Sequence, residues 1–252
     1  MRGLALVAMT IYHFTWDLEF YGWILPGTTL QSGWVIFARF IATSFLFLVG
    51  ISLVLAHGET IHWRGFWKRF LQIVVAAAAI SVSTYFAFPD TYIFFGILHA
   101  IAVFSLLALM VIRLHWLFAA SIAVVILLLW KTTSSEIFDQ PLLKWIGLGI
   151  IPPDTNDYVP VFPWFAATIA GVAVAKLMQS MGVLQRIGAI DFPTFLSRPL
   201  VFIGRHSLIY YLVHQPLMLG SLWVFATIAG PPDRTESFLH LCTKQCLSLI
   251  HI

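Results

Sequence analysis

Apolar positions along the chain gather into seven long stretches, 3–22, 33–56, 70–88, 93–112, 115–130, 162–178 and 205–228, separated by short polar segments. About 20 apolar residues cross the hydrocarbon core of a bilayer as a helix. The period-two alternation of a membrane β-strand is missing. The pattern therefore predicts an all-α, polytopic transmembrane helical bundle of about seven spans. A tight turn at 113–115 joins the fourth and fifth stretches. The long loop 131–161 is expected to carry a short interfacial helix over 141–151. Its tail, IPPDTNDYVPVFPWF, has the Pro-rich and aromatic composition of a loop that roofs a site on the outer face. The first stretch follows a single Arg and runs into TWDLEF, not a small-residue cleavage site, so no cleavable signal peptide is expected.

Composition agrees. Of 252 residues, 60% are hydrophobic and only 10% charged, and the mean hydropathy is +0.91. A soluble domain carries about a quarter charged residues, so a soluble enzyme, a disordered chain and a nucleic-acid binder are excluded. Two cysteines give no disulfide framework. With the N-terminus in the cytoplasm, nine Lys and Arg residues fall on inner segments against four on outer ones, the asymmetry of the positive-inside rule. Residues 1–230 form the transmembrane part and 231–246 an extracytoplasmic tail. Residues 247–252 read LSLIHI, which back-translates to read-through of a sequencing-library adaptor. The sequence is therefore expected to be a fragment ending near Cys246, the alternative being a natural short apolar tail. Because the chain enters an apolar run directly after Arg2 and Gly3, Met1 is expected to be internal to a longer chain.

Ionisable side chains inside spans cost about 2.5–3.5 kcal/mol at mid-bilayer and commonly mark function. The first stretch holds His13, Asp17 and Glu19. His13 and Asp17 are four apart and share a helix face, an arrangement in which an Asp fixes an imidazole tautomer and stabilises its cation. The alternative is a structural hydrogen-bond pair between helices. Arg39, in the second stretch, lies at a depth where it either pairs with Asp17 or snorkels to the headgroups. His99 sits in FFGILHAIAVF, and His214 in HSLIYYLVHQP beside a helix-breaking Pro216. These five residues at similar depth are the candidate catalytic set. Each lone His has the plain alternative of a satisfied core residue. On the inner side, His57, His62, Arg64, Lys68, Arg69, Arg205 and His206 mark either a phosphate clamp for a cytosolic donor, with Arg64, Arg69 and Arg205 as its cofactor-binding residues, or ordinary positive-inside charge. No His, Cys or carboxylate spacing calls for a metal.

The opening RGLALVAMTIYHFTWDLEFYGW resembles the start of the heparan-alpha-glucosaminide N-acetyltransferase catalytic-domain family in its short bacterial form. The likeness continues in order through FARFIATSFLFLVGISL, FFGILHAIAVFSLLAL, VPVFPWFAATIAGV and HSLIYYLVHQPL, over about 2–217. Each motif alone is degenerate, and five in order are specific. The resemblance implies a multi-pass acyltransferase of the bacterial inner membrane. Its donor is acetyl-CoA or another acyl-CoA, and its acceptor an extracytoplasmic sugar amine or hydroxyl on an envelope glycan or glycolipid. An oligomer is compatible with it, and nucleic acid is not a partner. The lysosomal relative carries its key histidine in the loop after the first span. Residues 23–33 here contain none, so either His13 substitutes for it or this branch does different chemistry. A proton-coupled transporter and a non-enzymatic membrane subunit are the alternatives. Without inverted repeats or paired broken helices, the sequence gives a transporter less support.

Overall fold

The computed structural model describes residues 1–183, 186 and 194–230, with backbone alone for 194–197. The expected tail 231–246, the segment 247–252 and both Cys242 and Cys246 lie outside the described residues. The described elements are helical: α1 (Arg2–Phe20), α2 (Ser32–His57), α3 (Trp63–Ala87), α4 (Ile97–Val111), α5 (Trp116–Thr132), α6 (Val161–Ser180), α7 (Thr194–Arg205) and α8 (Ser207–Ala229). Short 3-10 turns occur at Pro89–Thr91, Glu136–Asp139 and Lys144–Ile146.

All seven expected stretches fall on helices. Four of these, α2, α3, α6 and α8, are long and apolar enough to cross a membrane, while α4 and α5 are shorter apolar helices. In lipid an apolar run must satisfy its backbone internally, which the helix does. The chain is a membrane protein.

Several boundaries differ from the hydropathy reading for local reasons. Helix α3 begins seven residues before the apolar run, because the charged turns WRGFWKRF are helical too. Helix α4 begins at Ile97 and not near 93, because Gly96 is extended (φ −91°, ψ −169°) and the preceding residues pair with the loop 155–159. The expected helix over 141–151 is only the 3-10 turn Lys144–Ile146, stopped by Gly147 in the left-handed region (φ +88°).

The described chain divides into two compact units, Met1–Ile41 with the described part of Pro199–Ile252, and Ala42–Arg198. In the first unit α1 packs along α8. At Gly3 a side-chain carbon would run into the Leu200 backbone, so the start of α1 meets the chain leading to α8 only because that residue has no Cβ. In the second unit α5 and α6 are the most closely packed pair. The core there joins Val54, Phe66, Ala108, Ile112, Ala119, Ile126, Ile169, Val172 and Ala175. Small residues let these backbones approach, as in other membrane bundles. A Cβ at Gly50 would meet the Thr168 backbone, and one at Gly171 the Phe47 backbone, so α2 and α6 cross at backbone contact.

The second unit also carries a strap. Residues 155–159 lie beside 91–97 through Asn156 N–H to Thr91 O (3.0 Å) and Val159 N–H to Phe95 O (3.1 Å). The Thr155 hydroxyl donates to Tyr92 O (2.7 Å). From α3, Ser81 Oγ donates to Ile93 O (2.6 Å), and Thr84 Oγ1 accepts from Ile93 N–H (3.0 Å).

Candidate functional site

The seam between α1 and α8 gathers polar side chains in the first unit. Contacts along it pair Thr10 with Tyr210 (2.7 Å between hydroxyls), His13 with His214 (ring centroids 5.1 Å, edge to face), and Asp17 with Gln215. Farther along, the Tyr21 hydroxyl donates to Leu219 O (3.0 Å). Residue numbers rise together on both helices, so α1 and α8 run in the same direction.

Each position has a sequence cause. Asp17 and His13 sit one turn apart on α1, so both reach the seam. His214 and Gln215 precede Pro216, which lies inside the continuous helix α8. Pro216 has no N–H to meet the Leu212 carbonyl one turn back. His214 Nδ1 bonds Tyr211 O at 2.7 Å. An acceptor at that distance requires Nδ1 to carry the proton, which leaves Nε2 as an acceptor in the neutral ring. The Tyr210 ring stacks parallel to the His214 ring at 6.0 Å.

Asp17 is fully buried and His214 is 7% exposed. The Gln215 amide Nε2 donates to Asp17 Oδ1 at 2.5 Å. Asp17 Oδ2, Gln215 Oε1 and His214 Nε2 are buried with no hydrogen-bond partner among the described residues. All three are acceptors or, at the carboxyl, a proton site. A buried polar atom without a partner costs about 1–3 kcal/mol, which makes these three atoms the unsatisfied acceptors of the seam among the described residues.

The other expected residues fall differently. Arg39 is exposed on α2, and the Asp17 carboxylate meets Gln215, not Arg39, among the described residues. His99 belongs to the second unit and works in the first turn of α4. Its Nδ1 accepts from Gly96 N–H (3.3 Å), and its Nε2 lies 3.2 Å from Ser81 Oγ. Beside it, Asp157 from the strap accepts the Ile97 N–H at 2.8 Å. Burial pushes the Asp157 carboxyl up to about 6, and the Ile97 bond only partly opposes that rise. Burial, then the Asp139 charge, pushes the Tyr158 phenol up as well. Arg64 and Arg69 lie exposed at the start of α3, and Arg205 exposed at the end of α7. Among the described residues no three His, Cys, Asp or Glu side chains gather to hold a metal ion.

Sequence reasoning missed Gln215, Tyr210 and Asp157. A visible signal existed for Gln215, a polar residue in an otherwise apolar run, immediately after a histidine and before a proline. A further miss is the role of Glu19. Its carboxylate accepts from Gly27 N–H (2.5 Å), Thr29 N–H (2.8 Å) and the Thr29 hydroxyl (2.7 Å), and so holds the loop 21–31. Gly27 stands in the left-handed region (φ +81°), which favours glycine there.

Comparison with known proteins gives one family. The family profile described as heparan-alpha-glucosaminide N-acetyltransferase, catalytic, matches residues 1–216. No curated protein and no solved structure matches the chain.

Proposed function

Since the chain belongs to the heparan-alpha-glucosaminide N-acetyltransferase catalytic-domain family, we propose that it moves an acetyl or other acyl group from cytosolic acyl-CoA to a sugar amine or hydroxyl on the far side of the membrane, and that the α1–α8 seam is its reaction centre. The observation that carries the site assignment is the set of three buried acceptor atoms, Asp17 Oδ2, Gln215 Oε1 and His214 Nε2, that have no partner among the described residues, with the His13 ring against His214. Intramembrane polar groups of this kind are functional by default.

The imidazole pair is the proton acceptor. His214 has its Nδ1 tied to Tyr211 O and offers Nε2. His13 lies edge-on to it. As the acceptor's amine or hydroxyl attacks the thioester carbonyl, its proton passes to an imidazole. The carbon–sulfur bond then breaks, and the sulfur leaves as the CoA thiol with that proton. An imidazole titrates near neutral pH when unperturbed, which suits both transfers. Asp17 stabilises the positive charge that appears on the pair, and Gln215 holds Asp17 in place. Arg39 is assigned to the developing oxyanion or to a substrate anion. Arg205, nine residues or about two and a half turns before His214, is assigned to the phosphates of the donor. Arg64 and Arg69, expected from the sequence at the donor, point about 140° apart on α3 and take no part in this assignment.

We assign seven spans with the N-terminus in the cytoplasm, and a place in the bacterial inner membrane. The parallel course of α1 and α8 supports an odd number of crossings from α1 through α8, and the excess of Lys and Arg on the inner segments supports the orientation. Envelope glycan or glycolipid is the acceptor class. Incubating the purified protein with radiolabelled acetyl-CoA and envelope glycolipid extracts tests the function. Labelled lipid-linked sugar is expected, and an absence of transfer to any extract contradicts it. The same acceptors also fit a proton path in a transporter. Substrate uptake that needs no acyl donor would favour that reading.

A further inference from the structure

Helix α3 is 25 residues long, which at 1.5 Å per residue is about 37 Å. The hydrocarbon core is about 30 Å thick. The charge-free part, 70–87, accounts for about 27 Å of that length. If it fills the core, the turns before it stand at headgroup level.

Those turns read WRGFWKRF. They hold three cations, Arg64, Lys68 and Arg69, two tryptophans, and no acidic residue. Glu59, in the preceding linker, is the nearest acid in sequence. Phe66 is the inward anchor, only 4% exposed. It stacks near Phe70 (6.0 Å) and meets His57 (5.9 Å) and Trp67 (5.5 Å) at steep angles. The linker is tied down as well, because His62 N–H donates to His57 Nδ1 (3.3 Å).

With Phe66 inward, 100° per residue fixes the rest. Arg64 and Lys68, four apart, lie within about 40° of each other, and both lie roughly opposite Phe66. Trp67, about 60° from Arg64, lies beside them and Trp63 lies on the same side nearer Phe66; they are 48% and 53% exposed. Arg69 is about 140° from Arg64, so the two arginines do not close on one small ligand from this helix. The exposed face is instead two stacked cations with Trp67 about 60° from Arg64 on one side and Trp63 about 40° beyond it. Indoles favour the headgroup zone, and cations there attract anionic lipid.

We infer that the Arg64–Lys68 face at the start of α3, with Trp63 and Trp67 beside it, binds the phosphodiester headgroup of an anionic phospholipid. The cations meet the phosphate oxygens, and the indoles lie along the glycerol and upper acyl region.

Native mass spectrometry of the purified full chain in mild detergent tests this, with phosphatidylglycerol and phosphatidylcholine of identical acyl chains as probes. The wild type is expected to retain phosphatidylglycerol over phosphatidylcholine on the order of 10-fold. The double variant Arg64→Gln/Lys68→Gln should lose that preference, and Arg64→Lys/Lys68→Arg should keep it. Equal retention of the two lipids by the wild type overturns the inference, as does an unchanged preference in the neutral variant. Displacement of phosphatidylglycerol by stoichiometric coenzyme A assigns the face to the donor and also overturns it. If the neutral variant does not fold, the wild type decides by salt: the preference should fall as ionic strength rises, and a salt-independent preference contradicts the assignment.

Discussion

The Gln215 amide holds one oxygen of the fully buried Asp17 at 2.5 Å and leaves the other without a donor among the described residues. A carboxylate in this position is anchored yet unsatisfied, and its only described anchor is a neutral amide. Replacing that amide is therefore the sharpest perturbation of the seam. Gln215→Ala strips Asp17 of its donor and should lower stability by about 1–3 kcal/mol as well as reducing acyl transfer. Gln215→Glu sets two carboxyls against each other and should be worse. Thermal unfolding in detergent together with a transfer assay checks this. A Gln215→Glu protein as stable and active as the wild type would show that the contact is incidental.

Glu19 holds the loop after α1 through three donors. Charge-assisted bonds of this kind contribute about 1.5–3 kcal/mol each at most. Glu19→Gln keeps one accepting oxygen but puts a non-accepting NH2 in place of the other, and Glu19→Ala removes both. Limited proteolysis should cut within 21–31 faster in Glu19→Ala than in the wild type, with Glu19→Gln between. Equal cutting rates in all three proteins would mean that other contacts hold the loop.

Gly50 and Gly171 set the approach of α2 and α6, since a Cβ on either would strike facing backbone. Backbone cannot yield as a side-chain tip does. Gly50→Ala and Gly171→Ala are each expected to cost about 1–3 kcal/mol. Gly33→Ala is the control, because its Cβ would meet nothing within 4 Å. Melting temperatures of the three variants decide it, and a drop in the control equal to the others would remove the steric explanation.

Asp157 predicts the sign of a pH dependence. Burial raises its carboxyl from 3.8 to about 6, so the folded state binds the proton more tightly than the unfolded chain. Stability must then fall as pH rises from about 4 to about 6 and stay lower above that, by no more than about 3 kcal/mol. Asp157→Asn can still accept the Ile97 N–H but cannot ionise. The wild type should lose melting temperature between pH 4.5 and pH 7.5 relative to Asp157→Asn, whose curve should be flatter. Parallel curves for the two proteins would exclude Asp157 as the source.

Much of the fold was legible because lipid imposes a simple rule: long apolar runs become helices. All seven stretches obeyed it. What hydropathy could not show were the ends, which depend on local hydrogen bonding. The charged first turns of α3 and the extended residues before α4 are the examples. Of the candidate site, His13, Asp17 and His214 were legible as ionisable groups in apolar surroundings, and they lie on one seam. Their partners were not. The i, i+4 spacing suggests that Asp17 serves His13, but the described contact of Asp17 is across the helix pair, to Gln215. Helical periodicity gives the face of a residue and not what stands opposite it. His99 looked equivalent to His214, yet its ring nitrogens lie within hydrogen-bonding distance of the start of α4 and of Ser81.

The central claim is that His13 and His214 act as one proton-accepting unit in acyl transfer. Rates of transfer from radiolabelled acetyl-CoA by reconstituted wild type, His13→Ala, His214→Ala and the double variant test it most directly, each checked for folded protein by its melting temperature. Residues that act as a unit are strongly non-additive. Each single variant should lose about 100-fold or more, and the double variant should be little worse than either. Small and multiplicative losses, or a single variant with full activity, would contradict the account.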